Sequence, residues 1–229
     1  MIEILDRWDQ QLMVWLNYDG TPWADAFWYA FSYKWTWVAA GLAVLAALTL
    51  RFRHNWRRLL LAVVAVALVV AVCDQISSHL IKPLVMRPRP SHQPLIQDLL
   101  HYVNGYRGGR YGFVSSHAAN SFGVCVLLMQ IFRGRIFRTT LLLWTLANCY
   151  SRIYLGVHYP GDILGGTVVG IAAGYAVALL YRRLAYAPAV RRHDTELSRE
   201  EDLGYASEPW TVTATVWLTV LFLALFAAL

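Results

Sequence analysis

Six long apolar runs constrain this chain more than anything else in it. They lie at about 27–50, 59–81, 115–132, 137–155, 162–184 and 212–229 of a 229-residue sequence. Each approaches the ~20 residues that an α-helix needs to cross a hydrocarbon core of ~30 Å. Inside lipid the backbone must satisfy its own hydrogen bonds, and helices do so segment by segment. The expectation is an all-α integral membrane protein with six transmembrane helices. Residues 2–16, IEILDRWDQQLMVWL, add a different element. Leu5, Trp8, Leu12, Trp15 and Leu16 share one helical stripe, which reads as an N-terminal amphipathic helix lying in the membrane interface. The first 16 residues mix acids with apolar residues, so no cleavable signal peptide is expected. With no internal repeat or low-complexity tract, residues 1–229 read as one domain.

Charge decides which way the helices point. The formal net charge is +6. The basic residues lie in short loops between apolar runs, an arrangement that sets topology and argues against a nucleic-acid partner. RFRHNWRR (51–58) holds four arginines, RGRIFR (133–138) three and the 182–211 segment five, twelve of the twenty Lys and Arg residues. The positive-inside rule places these loops in the cytoplasm, so the loops after the second and fourth runs face outward. In a bacterium this means the inner (plasma) membrane, with the outward face in the periplasm. The polar stretch 185–210 reads as a short surface helix or a flexible loop. Cys73, Cys125 and Cys149 fall inside apolar runs and suit helix packing better than metal or disulfide chemistry.

Three polar clusters then meet on the outward face: KPLVMRPRP (82–90), FVSSHAANSFG (113–123) and SRIYLGVHYPGD (151–162). Ionisable residues at membrane depth are costly, which makes them functional candidates. Lys82, Arg89 and Arg152 supply positive charge, and arginine forks match phosphate oxygens. Ser115 and Ser116 sit at a helix start, where backbone amides favour an anion. His117 and His158 can share nucleophilic and acid–base work. Asp162, four residues beyond His158 and across Pro160, can fix the imidazole's tautomer. An anion cradle with two histidines and an orienting carboxylate points to phosphoryl transfer through a phosphohistidine. No acidic cluster is available for Mg²⁺, so no metal and no cofactor are expected.

The order Lys82-x₆-Arg89-Pro90, Ser115-Ser116-His117, Ser151-Arg152-x₅-His158-x₃-Asp162 resembles the type 2 phosphatidic acid phosphatase superfamily of membrane lipid phosphatases and vanadium haloperoxidases. The resemblance implies roles. His158 is the nucleophile, Asp162 its orienting partner, and His117 the acid that protonates the leaving group. Lys82, Arg89, Arg152, Ser115 and the Ser116 amide bind the phosphate. One departure is the Ser116 position, where the family has glycine in Pro-Ser-Gly-His. The resemblance also implies a lipid phosphate drawn from the bilayer as substrate. Undecaprenyl diphosphate is favoured because Arg87, Arg107 and Arg110 could hold a second phosphate; phosphatidylglycerol phosphate and lipid A are alternatives. A catalytically silent lipid-binding or transport protein would not need both histidines and Asp162.

Three features stay open at this level. Arg87 can be a membrane anchor or a second phosphate contact. Asp74, some 12 Å deeper than Lys82 if helical, needs a partner such as His79, Arg152 or a backbone donor. The loop HYVNGYRGGRYG (101–112), with four glycines, reads as a mobile lid or as an ordinary wet loop.

Overall fold

The computed structural model describes residues 2–187 and 209–228. Most of the 185–210 stretch therefore lies outside the described residues. Helices dominate: α1 (Ile2–Leu16), α2 (Pro22–Ser32), α3 (Val38–Arg51), α4 (Trp56–Val85), α5 (Ser116–Ile131), α6 (Arg135–Tyr154), α7 (Pro160–Ala185) and α8 (Trp210–Phe226). The isolated antiparallel bridge Pro88–Tyr111 is the β pairing among the described residues.

Helices occupy all six expected places, but not all as expected. By length and composition α4 and α7 are long and apolar enough to cross a membrane. The first apolar run is broken: α2 and the helical segment Lys34–Arg51 are bent by 66°. No proline or glycine sits at the break, so the sequence alone reads straight through it. Tertiary hydrogen bonds stabilise it instead. Thr36 donates its hydroxyl to the Ala30 carbonyl at 2.7 Å, and Trp37 Nε1 donates to Phe31 O at 2.7 Å. The Ala30 carbonyl also accepts from the Tyr33 amide at 3.2 Å, and both acceptors lie in the last turn of α2, where helical partners run out. Counted as one broken span, this pair makes a third candidate, and α8 is a shorter apolar helix.

Local signals set several helix starts. Thr21 caps α2, accepting from the Ala24 amide at 3.2 Å, with Pro22 at the first helical position. Asn55 caps α4 through the Arg58 amide at 3.1 Å. Towards its end α4 widens into π-helix over Gln75–Ile81, a distortion often found at functional sites. It stops at Met86, which adopts a left-handed conformation.

The centre is α5 packed on α7, with α4 alongside. Gly166, Gly170 and Gly174 line the face of α7 that meets α5. A Cβ at these positions would lie 2.4 Å from Ser115 O, 2.4 Å from Ala119 O and 2.8 Å from Gly123 O. The two backbones thus approach through glycine, the small-residue packing of membrane helices. Cys73, Cys125 and Cys149 are buried and free, as their positions predict.

The alternating helix directions sort the loops by end. The Arg58 guanidinium bonds the Ala185 carbonyl at 3.2 Å, joining the start of α4 to the end of α7. The Phe132–Gly134 turn between α5 and α6 lies at that same end. The opposite end carries the close of α4, the starts of α5 and α7, and the close of α6. Those four termini bear the three polar clusters.

Candidate active site

His158 and Asp162 occupy the short turn between α6 and α7. Pro160 opens α7, which makes Asp162 a first-turn residue whose Oδ2 accepts from the Tyr159 amide at 3.1 Å. The same oxygen lies 3.2 Å from His158 Nδ1, and the two side chains are 0% and 1% exposed. A carboxylate only accepts, so Nδ1 carries the proton and Nε2 keeps its lone pair. Burial, and after it the charges of Arg89, Arg152 and Lys82, push His158 well below the usual histidine range. Its imidazole is neutral at neutral pH, the form a nucleophile requires.

The second cluster is bonded directly to the third. Ser115 donates its backbone amide to Asp162 O at 2.9 Å, so the starts of α5 and α7 are locked together. Ser115 is fully buried and caps α5 through the Ala118 amide at 3.4 Å. Ser116 is the first residue of α5, and its hydroxyl accepts from Lys82 Nζ at 2.6 Å. The departure from glycine thus gives the lysine a partner. His117, half-buried one residue on, feels the charges of Arg152, Arg89 and Lys82.

The first cluster closes the ring. Arg89 Nε donates to Tyr111 O at 3.1 Å and Nη1 to Val157 O at 3.4 Å, leaving Nη2 for a ligand. Arg152, 3% exposed, donates to Ser32 and to the Tyr106 hydroxyl, the latter at 3.3 Å. Its Nε is buried with no hydrogen-bond partner among the described residues. An unsatisfied buried guanidinium donor is costly, and an anion oxygen satisfies it. The catalytic and phosphate-binding candidates His158, His117, Asp162, Lys82, Arg89, Ser115, Ser116 and Arg152 therefore converge on one end of the helix bundle.

Arg87 does something else. Its Nη1 lies 3.0 Å from Asp162 Oδ1, and its Nη2 lies 2.7 Å from Asp6 and 2.8 Å from Asp9. The guanidinium also stacks 4.0 Å from the Tyr159 ring. With three carboxylates around it, Arg87 is neither a free anchor nor available to a second phosphate. Arg107 and Arg110 are exposed and stack on Tyr102 and Tyr111. Asp74 finds its partner in Ser78, which donates to it at 3.1 Å, and not in His79 or Arg152. Ser78 also lies 2.9 Å from the Ser116 hydroxyl, so Asp74 supports the cradle from below.

The loop over the site is fastened. Asn17 accepts from the His101 amide at 2.7 Å and donates to His101 O at 3.2 Å, while His101 sits 3.0 Å from Asp19 and 2.8 Å from Asp25. Arg89 N bonds Arg110 O, and Gly112 N bonds Arg87 O, both at 3.0 Å. Gly112 serves close approach: a Cβ there would lie 2.6 Å from Asp162 Oδ2. Sequence reasoning passed over Ser32, Asn17, Asp6 and Asp9. Of these only the acids left a trace, since Asp6 and Asp9, three residues apart, share a helix face beside the apolar stripe.

Comparisons with known proteins agree with this geometry. Residues 58–186 match the PAP2 superfamily. The chain is 40% identical over 185 residues to the lipid A 4'-phosphatase of Bacteroides thetaiotaomicron, covering 80% of this chain and 81% of that one. It is 39% identical over 173 residues to the lipid A 4'-phosphatase of Porphyromonas gingivalis, covering 76% and 72%. It is also 27% identical over 107 residues to the undecaprenyl-diphosphatase BcrC of Bacillus subtilis, covering 47% and 52%. The match takes in all three polar clusters and the helices that carry them, so the chain belongs to the PAP2 superfamily and is a lipid phosphatase of that type.

Proposed function

We propose that the protein hydrolyses a phosphate monoester of a lipid A-type glycolipid, through a phosphohistidine on His158, at the outward face of a six-span inner membrane protein. The observation that carries the substrate choice is Arg87. The sequence favours a diphosphate because Arg87, Arg107 and Arg110 could hold a second phosphate, and three carboxylate partners take Arg87 out of that set. One cation cluster around one nucleophile suits a single phosphate. The extensive similarity to two lipid A 4'-phosphatases supports the same choice.

Arg89, Arg152 and Lys82 hold the phosphate oxygens while the acyl chains stay in lipid. His158 Nε2 attacks phosphorus, the P–N bond forms, and the ester P–O bond breaks. His117 gives its proton to the departing sugar oxygen, and the cations stabilise the charge spread over the equatorial oxygens. Water, deprotonated by His117, then attacks phosphorus, breaks the P–N bond and releases inorganic phosphate. Throughout, Asp162 holds the imidazole in one tautomer and balances its charge.

The second reading is undecaprenyl diphosphate hydrolysis, favoured by the similarity to BcrC and by the exposed Arg107 and Arg110 in the loop beside the site. Phosphate release by the purified protein from lipid A, undecaprenyl diphosphate and phosphatidylglycerol phosphate separates the readings. We expect kcat/KM for lipid A to exceed the others by at least about tenfold, since a site built for one headgroup rejects others by polar mismatch. Preference for undecaprenyl diphosphate would overturn the proposal.

A further inference from the structure

The catalytic carboxylate is tied to the far N-terminus of the chain. Asp162 Oδ2 faces His158 and the Tyr159 amide, whereas Oδ1 faces Arg87 Nη1 at 3.0 Å. The second arm of that guanidinium reaches Asp6 at 2.7 Å and Asp9 at 2.8 Å, both on α1. Asp9 also accepts from the Gly161 amide at 2.8 Å, in the first turn of α7. Gly161 has no room for more, since a Cβ there would lie 2.5 Å from Asp9 Oδ2. Asp9 therefore grips both the arginine and the turn that presents Asp162. The outer face of α1 carries Leu5, Trp8, Leu12 and Trp15, 57%, 64%, 43% and 75% exposed.

We propose that Arg87 is a positioning residue, which holds Asp162 through Oδ1 and, with Asp6 and Asp9, makes α1 part of the frame that orients His158. The proposal rests on His158 being the nucleophile of the lipid phosphatase. A carboxylate held on one oxygen by His158 and Tyr159 alone can rotate about its Cβ–Cγ bond, whereas the Arg87 fork fixes the plane of the group. The fork suits this because guanidinium geometry matches two carboxylates at once, which an ammonium cannot do. The charge matters as well. An unpaired carboxylate at 0% exposure is strongly disfavoured, and Arg87 supplies the opposing charge. Seating of the apolar α1 face in a bilayer would hold Asp6 and Asp9 in place, so membrane contact and catalytic geometry are coupled.

The test compares Arg87→Ala, Arg87→Lys and the double variant Asp6→Asn/Asp9→Asn, purified in lipid nanodiscs. Two readouts are used: lipid A turnover, and the ring ¹⁵N signals of His158 identified by difference from His158→Ala. We expect Arg87→Ala to lower kcat about 100-fold with KM within about threefold, less than the ~10⁴ seen when a triad carboxylate is neutralised. Arg87→Lys should recover only part of this, and the double variant should lose about tenfold. The wild-type His158 signals should report a fixed Nδ1–H tautomer, and both Arg87→Ala and the double variant should show a mixture. The double variant carries the test if Arg87→Ala does not fold. A kcat within threefold of wild type, or an unaltered His158 tautomer in a folded variant, overturns the proposal. The tautomer readout needs no turnover, so failure of the substrate assignment would be seen separately, as an inactive wild type.

Discussion

His158 is four residues from Asp162 in sequence, yet what keeps its imidazole neutral arrives from elsewhere. Arg89 comes from the loop after α4, Arg152 from the end of α6 and Lys82 from the end of α4. Their charges and complete burial hold the imidazole neutral, pushing its pKa well below the usual histidine range. The direction has a stability consequence. A histidine whose folded pKa is depressed takes up a proton on unfolding, so its contribution is present above the unfolded value of about 6.5 and is lost as pH falls below it. The slope approaches about 1.4 kcal/mol per pH unit for one proton. Thermal unfolding between pH 6.5 and 5 should therefore show the Tm of the wild type falling relative to that of His158→Gln, the difference between the two curves isolating His158 from the other groups that titrate there. Parallel curves would mean that His158 is protonated in the folded protein. The catalytic candidates were legible as residues because their types and spacings carry chemistry. Arg87 was not, because its meaning depends on Asp6 and Asp9, far away in sequence.

Among the elements, α7 bears the most constraint. Its first turn carries Asp162, and its glycine face lets the α5 backbone approach closely enough for the Ser115 amide to reach Asp162 O. A side chain at 166 pushes on that junction, because Ser115 O is backbone and cannot swing aside. Gly166→Ala should cost about 1–3 kcal/mol, the usual range for overpacking, and should lower activity with it. Gly41→Ala in α3 is the control, since a Cβ there meets nothing within 4 Å. The two variants are compared by Tm and by turnover, and equal behaviour would refute the close-packed junction. The glycine spacing in the 162–184 run was visible in the sequence, although apolar content alone predicted only a span. The break between α2 and α3 was not visible, because aromatic packing and the Thr36 and Trp37 donors override a helix-forming run. Phe31 packs edge-on against Trp37 at 4.8 Å, and Trp37 against Trp144 at 5.5 Å, fastening the bend to α6.

Over the whole molecule, the two ends differ in kind. One end gathers the arginines of the 51–58 and 133–138 loops and the close of α7, where Arg182 and Arg183 fall in the last turn. The other gathers the three polar clusters, with α1 lying against α6 and α7 beside them. Charge asymmetry of this kind orients membrane proteins, so topology and function are joined in a single expectation. A site at the arginine-poor end meets only lipids displayed in the outward leaflet. The measurement that tests this most directly uses sealed vesicles of both orientations carrying the protein, with lipid A inserted in the exposed leaflet and EDTA in the medium. The account predicts that phosphate appears outside right-side-out vesicles, that inverted vesicles release none, and that His158→Ala abolishes the signal while the variant stays folded. Release confined to inverted vesicles, or release that survives His158→Ala, would contradict it.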